Sequence, residues 1–571
     1  MSSSPPPSEP YFDIGKFHRE ISTTSPEAQI WFDRALVWIH GFHGDEAAHC
    51  AENALLWDPT SAISLWAMLA ALSPNYAKSW AVMGPMKNST MEVWMKNKDE
   101  MLRLAENAPP VEAGLCKALI HRFPPDTPET EEDWDFAALN HAYAEAMGHV
   151  YDQFPDDLDV ASLYADSLLC LSPWKLWDLG TGEPLPGSQA VRTKQVLDKA
   201  YATPEGKRHP GILHLYIHLM EMSGTPENAV PAGDKLHGLI PDASHLNHMP
   251  SHIYVLVGDY RRAISANSRA LFDDELYVSK GKPSLWYNIL RLHNMHSLVY
   301  AAMSSGNWED ARDNLKLVET DTVEDLARTM PNVLEGFLGT WAHVYVRFGR
   351  WDEILAKPLR DDPEFYSCST SMHRYARGIA LAAQNRVREA DIELEEMKRT
   401  MAKIPKGRLM FPNEAIDVLQ VGEAMLEGEI EYRRGNFQAA FEHLREAMKR
   451  YDGLVYGEPW SWMMPVRHAY AALQLQQGHI EEALKTYEDD LGYSSTLALA
   501  HQHPNNVWAL HGYHECVTRL GLKKQAQMVY PHLRLALAVA DVPITSSCFC
   551  RLNIQKANGT AANGVPNGCC Q

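Results

Sequence analysis

Apolar residues recur at helical spacing along most of this chain, and the runs are broken by short turns that share one pattern. Each turn has a small residue, usually glycine, then two variable positions of which the second is often aromatic or aliphatic, then two polar residues and an alanine. It occurs as GDYRRA from Gly258, GNWEDA from Gly306, GRWDEI from Gly349, NRVREA from Asn385, GNFQAA from Gly435, GHIEEA from Gly478 and GLKKQA from Gly521, at intervals of 48, 43, 36, 50, 43 and 43 residues. Every copy lies between two helical patterns, as with IYVLV before Gly258 and AISANSRAL after it. This predicts helix–turn–helix hairpins: glycine permits the tight turn, the aromatic wedges between the helices, and the alanine lets them approach. FHGDEAAHCAENALLWDP (42–59) and the stretch 143–169 read as further hairpins, and no alternating strand pattern is present. A plain tetratricopeptide repeat has a period of about 34 residues, so the longer intervals call for extended helices or connections. The predicted fold is all-α: an irregular TPR-like α/α solenoid, a right-handed superhelix of hairpins. N-terminal hairpins are expected over 25–130 and a repeat array over 131–541, with disordered tails at 1–24 and 542–571.

Composition narrows the function classes. Lys+Arg 52 against Asp+Glu 73 gives a net charge of −21, which argues against nucleic-acid binding through a general field. No run approaches the ~18 apolar residues of a membrane span, and MSSSPPPSEP carries no export signal, so a cytoplasmic chain is expected. Cys50, Cys116, Cys170, Cys368 and Cys516 are scattered as reduced, packed thiols would be, whereas CFC at 548–550 and CC at 569–570 fall in the expected tail. Phosphate-cradling, dinucleotide and nucleophile-elbow motifs are absent.

Histidine is the residue that points to chemistry. At about 100° per residue, His245, His248 and His252 of HLNHMPSHIY fall within about 60° of arc, and His214, His218 and Glu221 share another face. Pro250 starts or kinks a helix, which leaves open whether the first set stays together or splays. Counted back from Gly258, these three histidines stand at 13, 10 and 6 residues; His293 and His296 stand 13 and 10 before Gly306, and His343 stands 6 before Gly349. Equivalent positions on stacked hairpins face one side, so an imidazole-rich inner wall is expected. His40 and His43 lie near a turn, where capping is the expected role, and His511 and His514 read as ordinary packing.

Once aligned by these turns, the chain resembles the tetratricopeptide-repeat protein 38 family. The resemblance rests on YIHLMEMSGTPENAVPAGDKLHGLIPDASHLNHMPSHIYVLVGDYRRAI, HNMHSLVYAAMSSGNWEDA, VRFGRWDEIL, MHRYARGIALAAQNR and PNNVWALHGYHECVTRLG, and spans about residues 25 to 535. It implies an α/α solenoid of irregular hairpins and names a fold, not a reaction. Two functions follow from the residues themselves. The first is a concave groove that binds a peptide, a partner protein or a small acid, with His293, His296, His343, Arg374 and Arg467 on its wall. The alternative is a metal-dependent enzyme holding a divalent transition metal (Zn, Fe, Mn or Cu) through His214, His218, His245, His248 and His252. Glu221 is then a further ligand or general base, and His252 a catalytic partner.

Overall fold

In the computed structural model, which describes residues 11–551 except 129, 131, 132 and 282, all seven repeated turn residues adopt left-handed backbone, from φ +61° at Asn385 to +85° at Gly435. That conformation is nearly free for glycine and tolerable for asparagine. The alanine that ends the pattern is fully buried at Ala263, Ala311, Ala390, Ala440 and Ala483, as close helix approach requires, and the larger Ile354 is buried in the same place. The aromatic wedge is less regular: Tyr260 and Trp308 are buried, but Phe437 is 38% exposed.

The fold is all-α, built largely of helical hairpins of unequal length in an irregular α/α arrangement. Among the described residues the regular β structure is one antiparallel pair, Leu409–Met410 with Asn413–Glu414, too short to alter the class. The chain divides into two compact units, Met1–Tyr254 with Ser265–Asn294, and Val255–Ile264 with Met295–Gln571.

In the first unit, Pro26–His40 and Gly44–Trp57 form the opening hairpin, with Ser25 accepting from the Ala28 amide at 3.2 Å to cap it. Ala62–Leu72, Phe136–Gln153, Leu158–Leu169 and Ala190–Tyr201 follow, with Asp135 and Asp157 as N-caps. Pro210–Met220 is buried at every residue, the mark of a core helix rather than an amphipathic surface one.

In the second unit, the hairpins Ser367–Ala383 with Val387–Met401, Ala415–Arg434 with Phe437–Asp452, Val466–Gln477 with Ile480–Leu491, and Val507–Arg519 with Lys523–Leu537 succeed one another. Ala471, Leu475, Tyr487, Leu510, Cys516 and Val529 pack the last two of these together.

Two segments expected to be disordered are packed. Arg19 bonds Asp157 and Asp159 at 2.7 Å, and Phe12 is buried. Ser547 donates to the His468 carbonyl at 2.8 Å, and Cys550, in a disulfide with Cys548, lies against Tyr432, Phe441 and Leu444. Neither segment has helical periodicity; each is held by partners distant in sequence, which a local pattern does not reveal. Residues 1–10 and 552–571, with Cys569 and Cys570, lie outside the described residues.

Candidate metal centre

The site is built on the buried Pro210–Met220 helix. Pro210 costs little at its first position, where the missing N–H has no acceptor anyway, and His209 Nδ1 accepts from the Ile212 amide at 3.3 Å as its cap. Gly211 is needed for proximity: a Cβ there would stand 2.4 Å from His40 Nδ1 and 2.3 Å from Ser162 Oγ. That approach lets His214 Nδ1 donate to the His40 carbonyl at 2.6 Å. One turn later, His218 Nδ1 donates to Glu221 Oε1 at 2.8 Å, so the two rings and the carboxylate do share a face.

Pro250 divides HLNHMPSHIY into Ser244–His248 and Pro250–Leu256. Met249 keeps helical angles across the division, and the His252 amide still bonds its carbonyl at 3.2 Å. His248 Nε2 lies 2.8 Å from His252 Nε2 and 2.9 Å from His293 Nε2, and His252 and His293 Nε2 are 3.3 Å apart. The rings are aimed from behind. His248 Nδ1 donates to Asn267 Oδ1 at 2.5 Å, and His252 Nδ1 donates to Glu221 Oε2 at 2.8 Å. A proton held at Nδ1 leaves a lone pair at Nε2, and these lone pairs converge. Lone pairs this close repel unless a cation lies among them. Metal–nitrogen bonds of ~2.0–2.1 Å place neighbouring ligand nitrogens about 2.9–3.4 Å apart, close to the spacing here.

His293 comes from Leu285–Ser305 and joins the set through its neighbour Asn294, which donates to Ser244 Oγ at 2.8 Å and Asp274 Oδ2 at 3.0 Å. The sequence places His293 on a groove wall, and its register, shared with His245, is the signal that it can join the set. For Asn267 and Asn294 the sequence offers only one signal, an amide on a buried helical face.

His214, His218 and His245 form a second set, with potential ligand atoms within 4.8 Å of one another. Neither ring nitrogen of His245 has a hydrogen-bond partner, nor has His214 Nε2, and all are buried. A neutral imidazole carries one N–H, so His245 leaves a buried donor unsatisfied, at about 1–3 kcal/mol. Phe42, held at φ +57°, sets its ring 4.4 Å from His214 and 6.0 Å from His245.

The rings do not line an open groove: His214, His218, Glu221, His245, His248 and His252 each expose 6% or less. Helices with so many apolar residues bury the whole face, imidazoles included. Burial, then neighbouring imidazoles, hold His218, His245 and His248 well below the ordinary imidazole range, and burial pushes His214 down to about 3. These rings are neutral at pH 7, the form that ligates a metal.

A third cluster is self-sufficient. Asp159 Oδ1 accepts from His40 Nε2 at 2.8 Å and His209 Nε2 at 3.0 Å, while Oδ2 takes Arg19. Burial alone would raise this carboxyl, but His209 and His40 outweigh it and hold Asp159 well below the usual range. His40 is thus a partner of Asp159 rather than a cap. His43 precedes Gly44–Trp57 without a capping bond, its ring 4.9 Å from Trp38.

The remaining expected residues lie in the second unit. His296 sits edge-on to Phe337 at 5.0 Å and His343 to Trp462 at 4.6 Å. Arg374 bonds Glu393 at 2.8 Å, and Arg467 grips both oxygens of Asp452 at 2.7 Å. His511 and His514 lie within Val507–Arg519, His514 beside Tyr530 at 5.7 Å.

No family model matches the chain, and no curated protein matches it in sequence. Among solved structures it is similar to yeast Tom70, with 12% identity and TM-score 0.26 over 90% of this chain and 92% of that one. It is also similar to a chain in the structure of Naa15/Naa10 bound to HypK-THB, with 13% identity and TM-score 0.21 over 93% of this chain and 73% of that one. Likenesses so distant carry nothing about the site.

Proposed function

We propose that this protein is a metalloprotein whose first unit binds a transition-metal ion through His248, His252 and His293. One observation carries the reading: three Nε2 atoms lie 2.8–3.3 Å apart, with the Nδ1 atoms of His248 and His252 tied to oxygen acceptors behind them. A carboxylate or amide behind a ligating imidazole fixes its tautomer and raises its basicity. Three protein ligands leave a coordination position open, where an ion would polarise a bound oxygen or acidify water. Both oxygens of Glu221 hold imidazole N–H groups, which makes it a positioning residue in this reading, not the general base, and makes His252 a ligand. Protein purified without a histidine tag is expected to carry stoichiometric metal, and His248→Ala with His252→Ala to lose it while circular dichroism stays helical. A wild-type chain that neither contains nor takes up Zn2+ would sink the proposal.

Ligand binding in the second unit is a second reading, favoured by a cavity of about 380 Å³ lined among others by Trp341, Lys357, Arg360, Thr370 and His373. Thr370 Oγ1 and His373 Nε2 are buried there without partners. Thermal shifts of the full chain with small carboxylic acids, absent in His373→Leu, test it; no shift with any acid argues against it. Membership of the tetratricopeptide-repeat protein 38 family and a cytoplasmic location belong to the same proposal. The family membership is supported by the repeated turns.

A further inference from the structure

We infer that His214, His218 and His245 hold a second transition-metal ion, so that the first unit contains a two-metal centre. This rests on the mononuclear reading above but on different observations. His245 is buried with both ring nitrogens lacking partners, and His214 Nε2 is buried and lacks one while its Nδ1 is spent on the His40 carbonyl. Two residues that fold so as to hide unpaired imidazole nitrogens, within 4.8 Å of a third imidazole, form a ligand set that an ion would complete.

The two sets are contiguous. The rings of His245 and His248 stack at 5.5 Å, and those of His218 and His252 meet edge-on at 5.4 Å. Glu221 links them: one oxygen holds His218 Nδ1 and the other His252 Nδ1, each at 2.8 Å. One carboxylate therefore orients an imidazole in each set, and any shift of it disturbs both.

The donors suggest the ion. The two imidazole sets suit zinc or copper(I) and disfavour magnesium or calcium, which take oxygen ligands. Paired ions on imidazole ligands carry positive charge that Glu221 balances only in part, so the open positions would take a small anionic oxygen ligand such as hydroxide.

The test counts ions in tag-free, full-length protein stripped by chelator, reloaded with Zn2+, freed of excess and measured by plasma mass spectrometry. Two ions per chain are expected in the wild type and one in His245→Leu, with the same counts after anaerobic loading with Cu(I) and none with Mg2+. One ion in both proteins overturns the second site and leaves the first standing; none in the wild type overturns both. Two ions in His245→Leu also overturn the assignment, by placing the second ion elsewhere. Should His245→Leu fail to fold by circular dichroism, His214→Gln carries the same expectation of one ion and the same contrary outcomes.

Discussion

His252 and His343 both stand six residues before a turn glycine, yet they do different work. In the first unit His252 donates Nδ1–H to Glu221 and turns Nε2 toward two other imidazoles at 2.8 and 3.3 Å. In the second unit His343 lies edge-on to Trp462 with neither ring nitrogen bonded. Elsewhere in the second unit, His468 Nε2 and His503 Nδ1 both reach Asp490, at 2.8 and 2.9 Å, and Asn506 adds a third donor at 3.0 Å. Arg347 meets the other nitrogen of His468, and Tyr451 that of His503. That cluster is complete in itself, as the Asp159 cluster is. The difference lies in what the second ring nitrogens face. Around Asp490 the second nitrogen of each imidazole meets Arg347 or Tyr451, whereas in the first unit the second nitrogens of His248 and His252 face one another.

The sharpest way to break this contrast is His293→Ala, which removes one of three converging nitrogens. Metal affinity, measured by competition with a chelator, is expected to fall by more than the ~10–100-fold typical of losing a supporting hydrogen bond. His343→Ala is expected to leave it unchanged. If His293→Ala binds Zn2+ as tightly as wild type, the convergent set is not a ligand set.

Asp490→Ala tests the second unit. It strands the N–H groups of His468 and His503 in the interior, at about 2–4 kcal/mol by thermal or urea unfolding, with metal content unaffected. Unaltered stability would show that the cluster is not closed.

Acidification offers a third test. Burial pushes His343 down to about 3 and His468 down to about 4, against an ordinary value near ~6.5 for an unfolded chain. The unfolded chain then binds more protons, so stability is full above about pH 6.5 and is lost as pH falls toward 4. His343→Phe is expected to shallow that fall by up to about 3 kcal/mol at pH 4, read by urea unfolding across the range; a slope identical to wild type would contradict it.

Glu221→Gln keeps the shape of the residue but presents an amide to two imidazoles that each need an acceptor. A loss of about 10–100-fold in metal affinity is expected, and an unaltered affinity would deny Glu221 its positioning role. The smallest effect is expected from Arg374→Ala: its partner Glu393 also accepts from Arg377 at 2.7 Å, so the cost is about 1 kcal/mol or less. A larger loss in unfolding experiments would mean that Arg374 does more than pair with Glu393.

Much of the fold was legible in the chain because hairpin signals are local. The turn glycines, the alanine behind them and the apolar stripes act within one hairpin, and the left-handed backbone at Gly258, Gly306, Gly349, Asn385, Gly435, Gly478 and Gly521 follows from them. The packed tails were not legible, since Arg19 depends on Asp157 and Ser547 on His468. The candidate site was half legible. His214 with His218, and His245 with His248 and His252, share helical faces by spacing alone. The entry of His293, the shared carboxylate of Glu221 and the support from Asn267 are long-range.

What the sequence determined by itself is a run of helical hairpins and the face of each helix on which its imidazoles stand, because turn conformation and helical phase depend on neighbours within a few residues. Only the tertiary structure decided which of those imidazoles meet. His248 and His293 are 45 residues apart and Glu221 and His252 are 31 apart, so their distances were set by packing. Gly211 admits a backbone against His40 and Asn294 docks one helix on Ser244. Ligation is decided at tenths of an ångström between atoms on different helices, a scale that helical periodicity along one chain segment does not reach.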